Sequence, residues 1–328
     1  MPTGPALRTL VVGAGLMGRW HADAIQRTGG TLAGIVDPGG TQAAALARAH
    51  HGARSFRRLD EALEQAAARV VHVCAPLAAH EQLARTALEA GCHVLVEKPI
   101  ANGVEATRRL FALASERGLL LCPVHQFLFQ PGMRKAERAL EGLGALRHVE
   151  MEICSAGAEA SPMSRDDIAM EILPHALAFA ARLCPASIAG GDWIARRPYD
   201  GELVVVATVG HVGIWTRISM NGRPPVNRLR IIAERGTITL DLFHGFSNLD
   251  RFRSASSAMK VARPFLSAAR MGGSAGANLA WRALRRESAY PGLRELVKRF
   301  HAAARDGGPS PVSPDETRDV MDVWERLR

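Results

Sequence analysis

Two short stretches and one spaced pair carry residue types that can do chemistry. Gly13-Ala14-Gly15-Leu16-Met17-Gly18 follows the apolar run Thr9-Leu10-Val11-Val12, and Asp37 closes the next apolar run. In a strand–turn–helix setting, Gly13 permits the tight turn and Gly15 lets the backbone approach a pyrophosphate. Gly18 lets the helix pack close to its sheet. The helix N-terminus offers unpaired N–H groups and the positive end of its dipole to phosphate. A carboxylate about twenty residues on is placed to accept from a ribose hydroxyl. The second stretch, Val94-Leu95-Val96-Glu97-Lys98-Pro99, puts an ammonium at the exit of an apolar strand, with proline fixing the backbone beside it. Next to a cationic ring in a partly dry cleft, such a lysine should have a lowered pKa and pass a proton. Glu171 and His175 stand four apart in a helical pattern and so share a face, where carboxylate and imidazole can work as an acid–base pair.

Each of these has a plainer reading. A methyltransferase binding S-adenosylmethionine shares the glycine loop and the acidic residue. Lys98 alone could be a surface lysine, and Glu171 with His175 an ordinary pair on a helix. One Glu and one His are thin for a metal, so no metal site is expected. Asp37 accepts from a ribose 2′-OH but repels a 2′-phosphate, and Pro38-Gly39-Gly40 supplies no arginine for one. NAD is therefore favoured over NADP.

The elements that must hold these residues alternate regularly at first. Strands read at Leu10–Val12, Leu32–Asp37, Val70–Cys74, His93–Val96 and Leu119–Cys122. Helices read at Leu16–Thr28, Thr41–His50 (with Thr41 as cap), Leu59–Ala67, His80–Ala90 and Val104–Arg117, the last two ended by Gly91 and Gly118. Strands that are apolar throughout and separated by helices predict a parallel sheet covered on both faces. After Pro123 the pattern becomes a helix at about Met133–Leu140 and then longer alternating segments. These are Arg147–Cys154, Glu202–Val209, Val212–Ser219, Arg228–Ala233 and Thr237–Leu242, interrupted by a helix at about Asp167–Leu183. That predicts a second, α+β domain with an antiparallel sheet. Pro174 implies a bent or late-starting helix. Ser313-Pro314-Asp315-Glu316 is a capping box, so the chain ends in a helix. The expected division is residues 1–123 and 124–328.

Bulk properties bound the rest. The chain has 328 residues, 47% of them apolar, enough for about two packed domains. No run reaches the roughly 18 uncharged apolar residues of a membrane span, and no signal peptide reads ahead of Thr9. Five cysteines without a CxxC pair read as reduced thiols of a cytoplasmic protein.

With these residues in place, the chain resembles the Gfo/Idh/MocA family of NAD(P)-dependent oxidoreductases. The likeness is carried by Gly13 to Gly18 with Arg19-Trp20-His21, and by Val70–Cys74 running into Ala75-Pro76 with His80 after it. It is also carried by Ala87-Leu88-Glu89-Ala90-Gly91-Cys92-His93-Val94-Leu95-Val96-Glu97-Lys98-Pro99. The resemblance implies an α/β protein with an N-terminal doubly wound Rossmann sheet and a C-terminal α+β domain. The latter's large, mostly antiparallel open sheet often serves as an oligomer interface. It implies that Lys98 takes part in catalysis and that His175 is the base on a substrate hydroxyl. Glu171 stands where an Asp is usual. The cofactor contacts would come from Gly13, Ala14, Gly15, Leu16, Met17, Gly18, Asp37, Ala75, Pro76, His80, Glu97 and Lys98. Similar enzymes act on sugars, inositols, nucleotide-linked sugars and related polyols. Asp166-Asp167-Ile168-Ala169-Met170 replaces a glycine-rich lead-in, Pro174 stands where Gly is common, and His125-Gln126-Phe127-Leu128-Phe129-Gln130-Pro131 lacks an expected arginine. These departures fall on the substrate side.

The net charge of +9 is concentrated. Arg251, Arg253, Lys260, Arg263, Arg270, Arg282, Arg285 and Arg286 have no acidic residue among them, and 254–277 reads as an Ala/Ser/Gly-rich insertion with weak structure of its own. The insertion reads first as a solvated basic loop with helical pieces. It could also cover the cleft and bind an anionic substrate, or touch an anionic membrane surface. Nucleic acid is not expected, for no recognition motif is present. The leading function is oxidation or reduction of a secondary alcohol. The rivals are a dinucleotide- or sugar-binding regulatory protein, and an enzyme using NAD without net redox change.

Overall fold

The computed structural model describes residues 7–155, 163–251, 257–287, 290 and 292–328, with the side chains of 257–260 excepted. Two compact units emerge: Met1–His125 with Leu293–Asp322, and Gln126–Gly292 with Val323–Arg328.

The first unit is built on β1 (Arg8–Val12), β2 (Thr31–Val36), β3 (Arg54–Phe56), β4 (Val70–Val73), β5 (His93–Val96) and β6 (Leu121–Pro123). Their order is β3-β2-β1-β4-β5-β6 and every pair is parallel, as the uniformly apolar strands predict. Leu10, Val11, Val70, Val71, Val94 and Leu95 are completely buried, each worth about 1.5–3 kcal/mol of burial. The helices are α1 (Leu16–Arg27), α2 (Thr41–Ala49), α3 (Leu59–Ala66), α4 (Leu77–Glu89) and α5 (Val104–Glu116). The chain order reverses between β1 and β4, which makes the ends of those two strands the ligand-binding crevice of such a sheet.

The second unit contains α6 (Pro131–Leu140), β7 (Leu146–Cys154), α7 (Arg165–Leu183), β8 (Asp192–Arg196), β9 (Glu202–Val209), β10 (Val212–Ser219), β11 (Val226–Ala233), β12 (Gly236–Asp241), β13 (Phe246–Arg251) and α8 (Ser257–Leu284). Its seven strands run β13-β12-β11-β7-β10-β9-β8. All pairs are antiparallel except β7 with β10. One face is apolar, with Leu203, Val205, Ile214, Leu229 and Ile231 buried beneath the helices. The other carries Glu150, Glu152, Arg217, Arg228 and Arg230, with Trp215 59% exposed among them.

Several expectations change. The 254–277 stretch is not weakly structured. From Ser257 it forms α8, 28 residues long, while 252–256 lie outside the described residues. Alanines sustain it despite three glycines. Thr41 is the first helical residue of α2 and Gly40 the cap, with no side-chain cap bond. Helix α4 starts at Leu77, directly after Pro76, rather than at His80. Pro174 neither delays nor ends α7, which is continuous from Arg165. The short strand β3 and the polar edge strands β8 and β13 give no clear alternation, so they go unread. The chain also returns to the first unit after 292. There α9 (Leu293–Asp306) packs on α1 through Leu296, Val297 and Phe300. A cut at 123/124 makes no provision for that return. The final helix, α10 (Pro314–Leu327), carries the expected capping box: Glu316 N–H donates to Ser313 Oγ and Ser313 N–H to Glu316 Oε2, both at 3.0 Å.

Candidate active site

The glycine turn is shaped by close approach. Gly13 has φ +101°, and a Cβ there would lie 2.5 Å from the Cys74 carbonyl oxygen. A Cβ on Gly18 would lie 1.9 Å from the Gly13 carbonyl oxygen. The loops leaving β1 and β4 therefore touch, and the first turn of α1 sits against the first of them. Gly15 differs, because a Cβ there would meet nothing within 4 Å. It caps α1 with no side-chain hydrogen bond, leaving N–H groups facing open space beside Leu16, 64% exposed. Bare donors over a backbone cradle fit a dinucleotide pyrophosphate.

Asp37, just past β2, is built into the same turn. Its Oδ2 accepts from Ala14 N–H at 2.9 Å and its Oδ1 from Gly39 N–H at 2.9 Å. Each oxygen keeps a lone pair for a ribose hydroxyl. The sequence supplies no arginine in this loop, but the fold brings one. A Cβ on Gly40 would lie 3.0 Å from Arg57 Nε, so the Arg57 guanidinium rests against the loop after Asp37.

Lys98 is half-buried two residues beyond β5, on the same edge of the sheet as the glycine turn. His80 braces its loop. The imidazole Nδ1 lies 2.8 Å from the Pro99 carbonyl oxygen and Nε2 2.8 Å from that of Ala75, so one ring ties the exits of β4 and β5 together. Glu97 turns inward. Its Oε2 accepts from Lys98 N–H at 3.3 Å and its Oε1 lies 3.3 Å from His21 Nε2. Behind it runs a buried file of rings: His21 Nδ1 to His72 Nδ1 at 2.9 Å, and His72 Nε2 to His301 Nε2 at 3.1 Å. With all three rings neutral and the carboxylate accepting at one end, each ring would donate toward Glu97. Burial, then the neighbouring imidazoles, holds His72 well below the ordinary range. Burial, then Arg305 and His21, lowers His301 to about 4. Burial and then Glu97 push the Cys74 thiol well up, so it is inert.

In the second unit α7 carries Glu171 and His175 one turn apart, both half-buried. Ser164 Oγ caps the helix, accepting from Asp167 N–H at 3.0 Å, and Asp166 Oδ1 accepts from Gly201 N–H at 2.7 Å. The acidic lead-in thus anchors the helix start. The Phe127 ring meets His175 edge to face, with centroids 4.8 Å apart. Pro174 has no N–H to give Met170, four residues back. The Trp324 indole N–H supplies that bond instead, at 2.8 Å from the Met170 oxygen. This substitution keeps α7 continuous immediately before His175.

The first unit therefore gathers Gly13, Ala14, Gly15, Gly18, Asp37, Ala75, His80 and the Glu97-Lys98-Pro99 loop on one sheet edge, and the second gathers Phe127, Glu171 and His175. Sequence reading missed Arg57, His72, His301 and Trp324. No local signal marks them, since each acts across a long sequence separation.

Residues 7–125 match the family model described as oxidoreductase family, NAD-binding Rossmann fold, of the Gfo/Idh/MocA group. Over those residues, about a third of its length, the chain resembles that family. It is 34% identical over 172 residues to UDP-N-acetylglucosamine 3-dehydrogenase of Acidithiobacillus ferrooxidans, covering 52% of each chain. It is 43% identical over 113 residues to inositol 2-dehydrogenase of Leifsonia xyli subsp. xyli, covering 34% of this chain and 33% of that one. The chain thus spans about half the length of the first relative and a third of the second. In structure it follows the Acidithiobacillus enzyme with a TM-score of 0.78 at 21% identity, covering 99% of this chain and 97% of that one. The WlbA dehydrogenase from Bordetella pertussis, solved with NADH and UDP-GlcNAcA, follows at 0.76 and 18%, covering 99% and 95%. At these identities the structural likeness shows the shared fold. The two relatives carry the names of dehydrogenases, of a nucleotide sugar and of inositol, and residues 7–125 of this chain match an NAD-binding Rossmann fold.

Proposed function

We propose that this protein oxidises or reduces one secondary alcohol of a sugar, most specifically of a nucleotide-linked sugar, using NAD. The observation that carries the reading is the placement of the glycine cradle and Lys98 on one edge of the parallel sheet. Gly13, Ala14, Gly15, Leu16, Met17 and Gly18 would hold the pyrophosphate and Asp37 the ribose. Ala75, Pro76, His80, Glu97 and Lys98 would border the nicotinamide end. A nicotinamide bound there would supply the hydride acceptor or donor for the alcohol carbon. His175 removes the hydroxyl proton, Phe127 and Glu171 hold it in place, and the Lys98 ammonium hydrogen-bonds the same oxygen as it becomes a carbonyl. The printed activities of the relatives support the substrate class.

NAD rather than NADP follows from Asp37, whose charge repels a 2′-phosphate. Arg57, whose guanidinium rests against the loop after Asp37, is a cation that could offset this. The polar face of the seven-stranded sheet, with Trp215 and Val206 exposed, is the proposed contact between copies in a homo-oligomer. The absence of any helix long and apolar enough to cross a membrane, among the described residues, is compatible with a cytoplasmic enzyme.

The test is absorbance at 340 nm with NAD and a panel of UDP- and dTDP-sugars, inositols and free sugars. NADH formation with a nucleotide sugar supports the reading. Ligand binding without turnover, the same in Lys98→Ala, would make the chain a sensor. Product formation without net NADH would make it an enzyme that returns the hydride.

A further inference from the structure

A file of three buried imidazoles ends at the carboxylate that holds the Lys98 loop. Lys98 N–H donates to Glu97 Oε2 at 3.3 Å, while His80 holds the Pro99 carbonyl from the other side. Glu97 is 9% exposed, so its second oxygen needs a donor. His21 Nε2 lies 3.3 Å from that oxygen. His21 and His72 are completely buried and His301 nearly so. Each comes from a different element, His21 from α1, His72 from β4 and His301 from α9, all within the first unit.

Packing alone does not call for such a file. Apolar side chains of similar size would fill the same space without taking ring nitrogens out of water. What imidazoles add is direction. Neutral rings linked at 2.9 and 3.1 Å line up donor to acceptor, and the carboxylate at one end sets the order. Burial holds His72 well below its ordinary range and lowers His301 to about 4, which keeps both neutral in ordinary buffers. The last ring comes from α9, the helix that returns to the first unit after the second has been built, and the neighbouring Phe300 ring stands edge-on to His72 at 6.4 Å. We propose that His301, His72 and His21 form a positioning chain for the reaction: they orient Glu97, Glu97 fixes the Lys98 backbone, and the Lys98 ammonium is thereby held on the sheet edge. The inference rests on the role given to Lys98 above. The three histidines are positioning residues that act through Glu97.

The test compares His72→Leu, which removes both ring nitrogens, with His72→Asn, which keeps a donor at the δ position facing His21. Hydrogen–deuterium exchange resolved to the Lys98 amide reads the loop without any substrate. The expected result for His72→Leu is Lys98 exchange about tenfold or more faster, with the amides of β1 unchanged. Its kcat should fall about tenfold to a hundredfold, while KM and dinucleotide affinity stay within a few-fold. His72→Asn should recover most of both losses. If His72→Leu fails to fold, His301→Leu, at the far end of the file, should show the same pattern. Unchanged Lys98 exchange, exchange that rises equally in β1, or equal losses in His72→Leu and His72→Asn overturn the proposal. So does faster Lys98 exchange with kcat unaltered. A wild type that binds dinucleotide but turns over no alcohol overturns the reaction itself, an outcome that the substrate-free exchange comparison tells apart from failure of the file.

Discussion

Lys98 and the glycines make the most local predictions. If Lys98 hydrogen-bonds the reacting oxygen, Lys98→Ala should lower kcat about 10²–10⁴-fold. It should leave dinucleotide affinity, read by nicotinamide fluorescence, within a few-fold of wild type. Gly18→Ala puts a methyl 1.9 Å from the Gly13 carbonyl, so backbone must move; a stability loss of about 2 kcal/mol or more in urea is expected, with weaker dinucleotide binding. His301 makes a pH prediction. Its ring takes a proton near 4 in the fold against 6.5 ordinarily. The unfolded chain is protonated first as pH falls, so the stabilisation is complete above about 6.5 and is lost between 6.5 and 4, up to about 3 kcal/mol. His72 acts in the same direction. His301→Asn should flatten the fall of Tm across that window. At this scale the cofactor turn was legible, because its glycines are required by contacts within one loop and its neighbours. Arg57 and the His21–His72–His301 file were not, because strand order and the return of α9 decide which distant residues meet.

Among the elements, α7 shows how a rule broken in sequence is repaired in three dimensions. Pro174 forecasts a break, and the carbonyl it orphans is satisfied by Trp324 from the last helix. Trp324→Phe removes that donor and should cost about 1–3 kcal/mol of stability. It should also disturb kcat through His175 more than it disturbs dinucleotide affinity. Helix α8 makes the opposite point. Its glycines and alanines read as a weak loop because no buried face organises them, and the structure leaves that face open. Neutralising Arg282, Arg285 and Arg286 together tests whether this segment covers the cleft: a raised KM for an anionic substrate would give it that role, and an unchanged KM and kcat would exclude it. Strands buried on both faces were readable from composition, whereas β8 and β13, at the polar edges of the second sheet, were not.

For the whole molecule, the two-unit plan and the parallel and mostly antiparallel sheets follow from hydrophobic patterning alone. The interleaved connectivity, with 293–322 joining the first unit, does not. The family resemblance supplied the roles of Lys98 and His175, which periodicity leaves open. The proposed chemistry needs both groups on one substrate oxygen and the dinucleotide on the sheet edge. The most direct test is stopped-flow absorbance at 340 nm with NAD and UDP-N-acetylglucosamine, comparing wild type with Lys98→Ala and His175→Ala. A rapid NADH signal in wild type, reduced at least about a hundredfold in each variant with NAD affinity retained, is the predicted result. An NADH signal of undiminished rate in either variant would contradict the assignment.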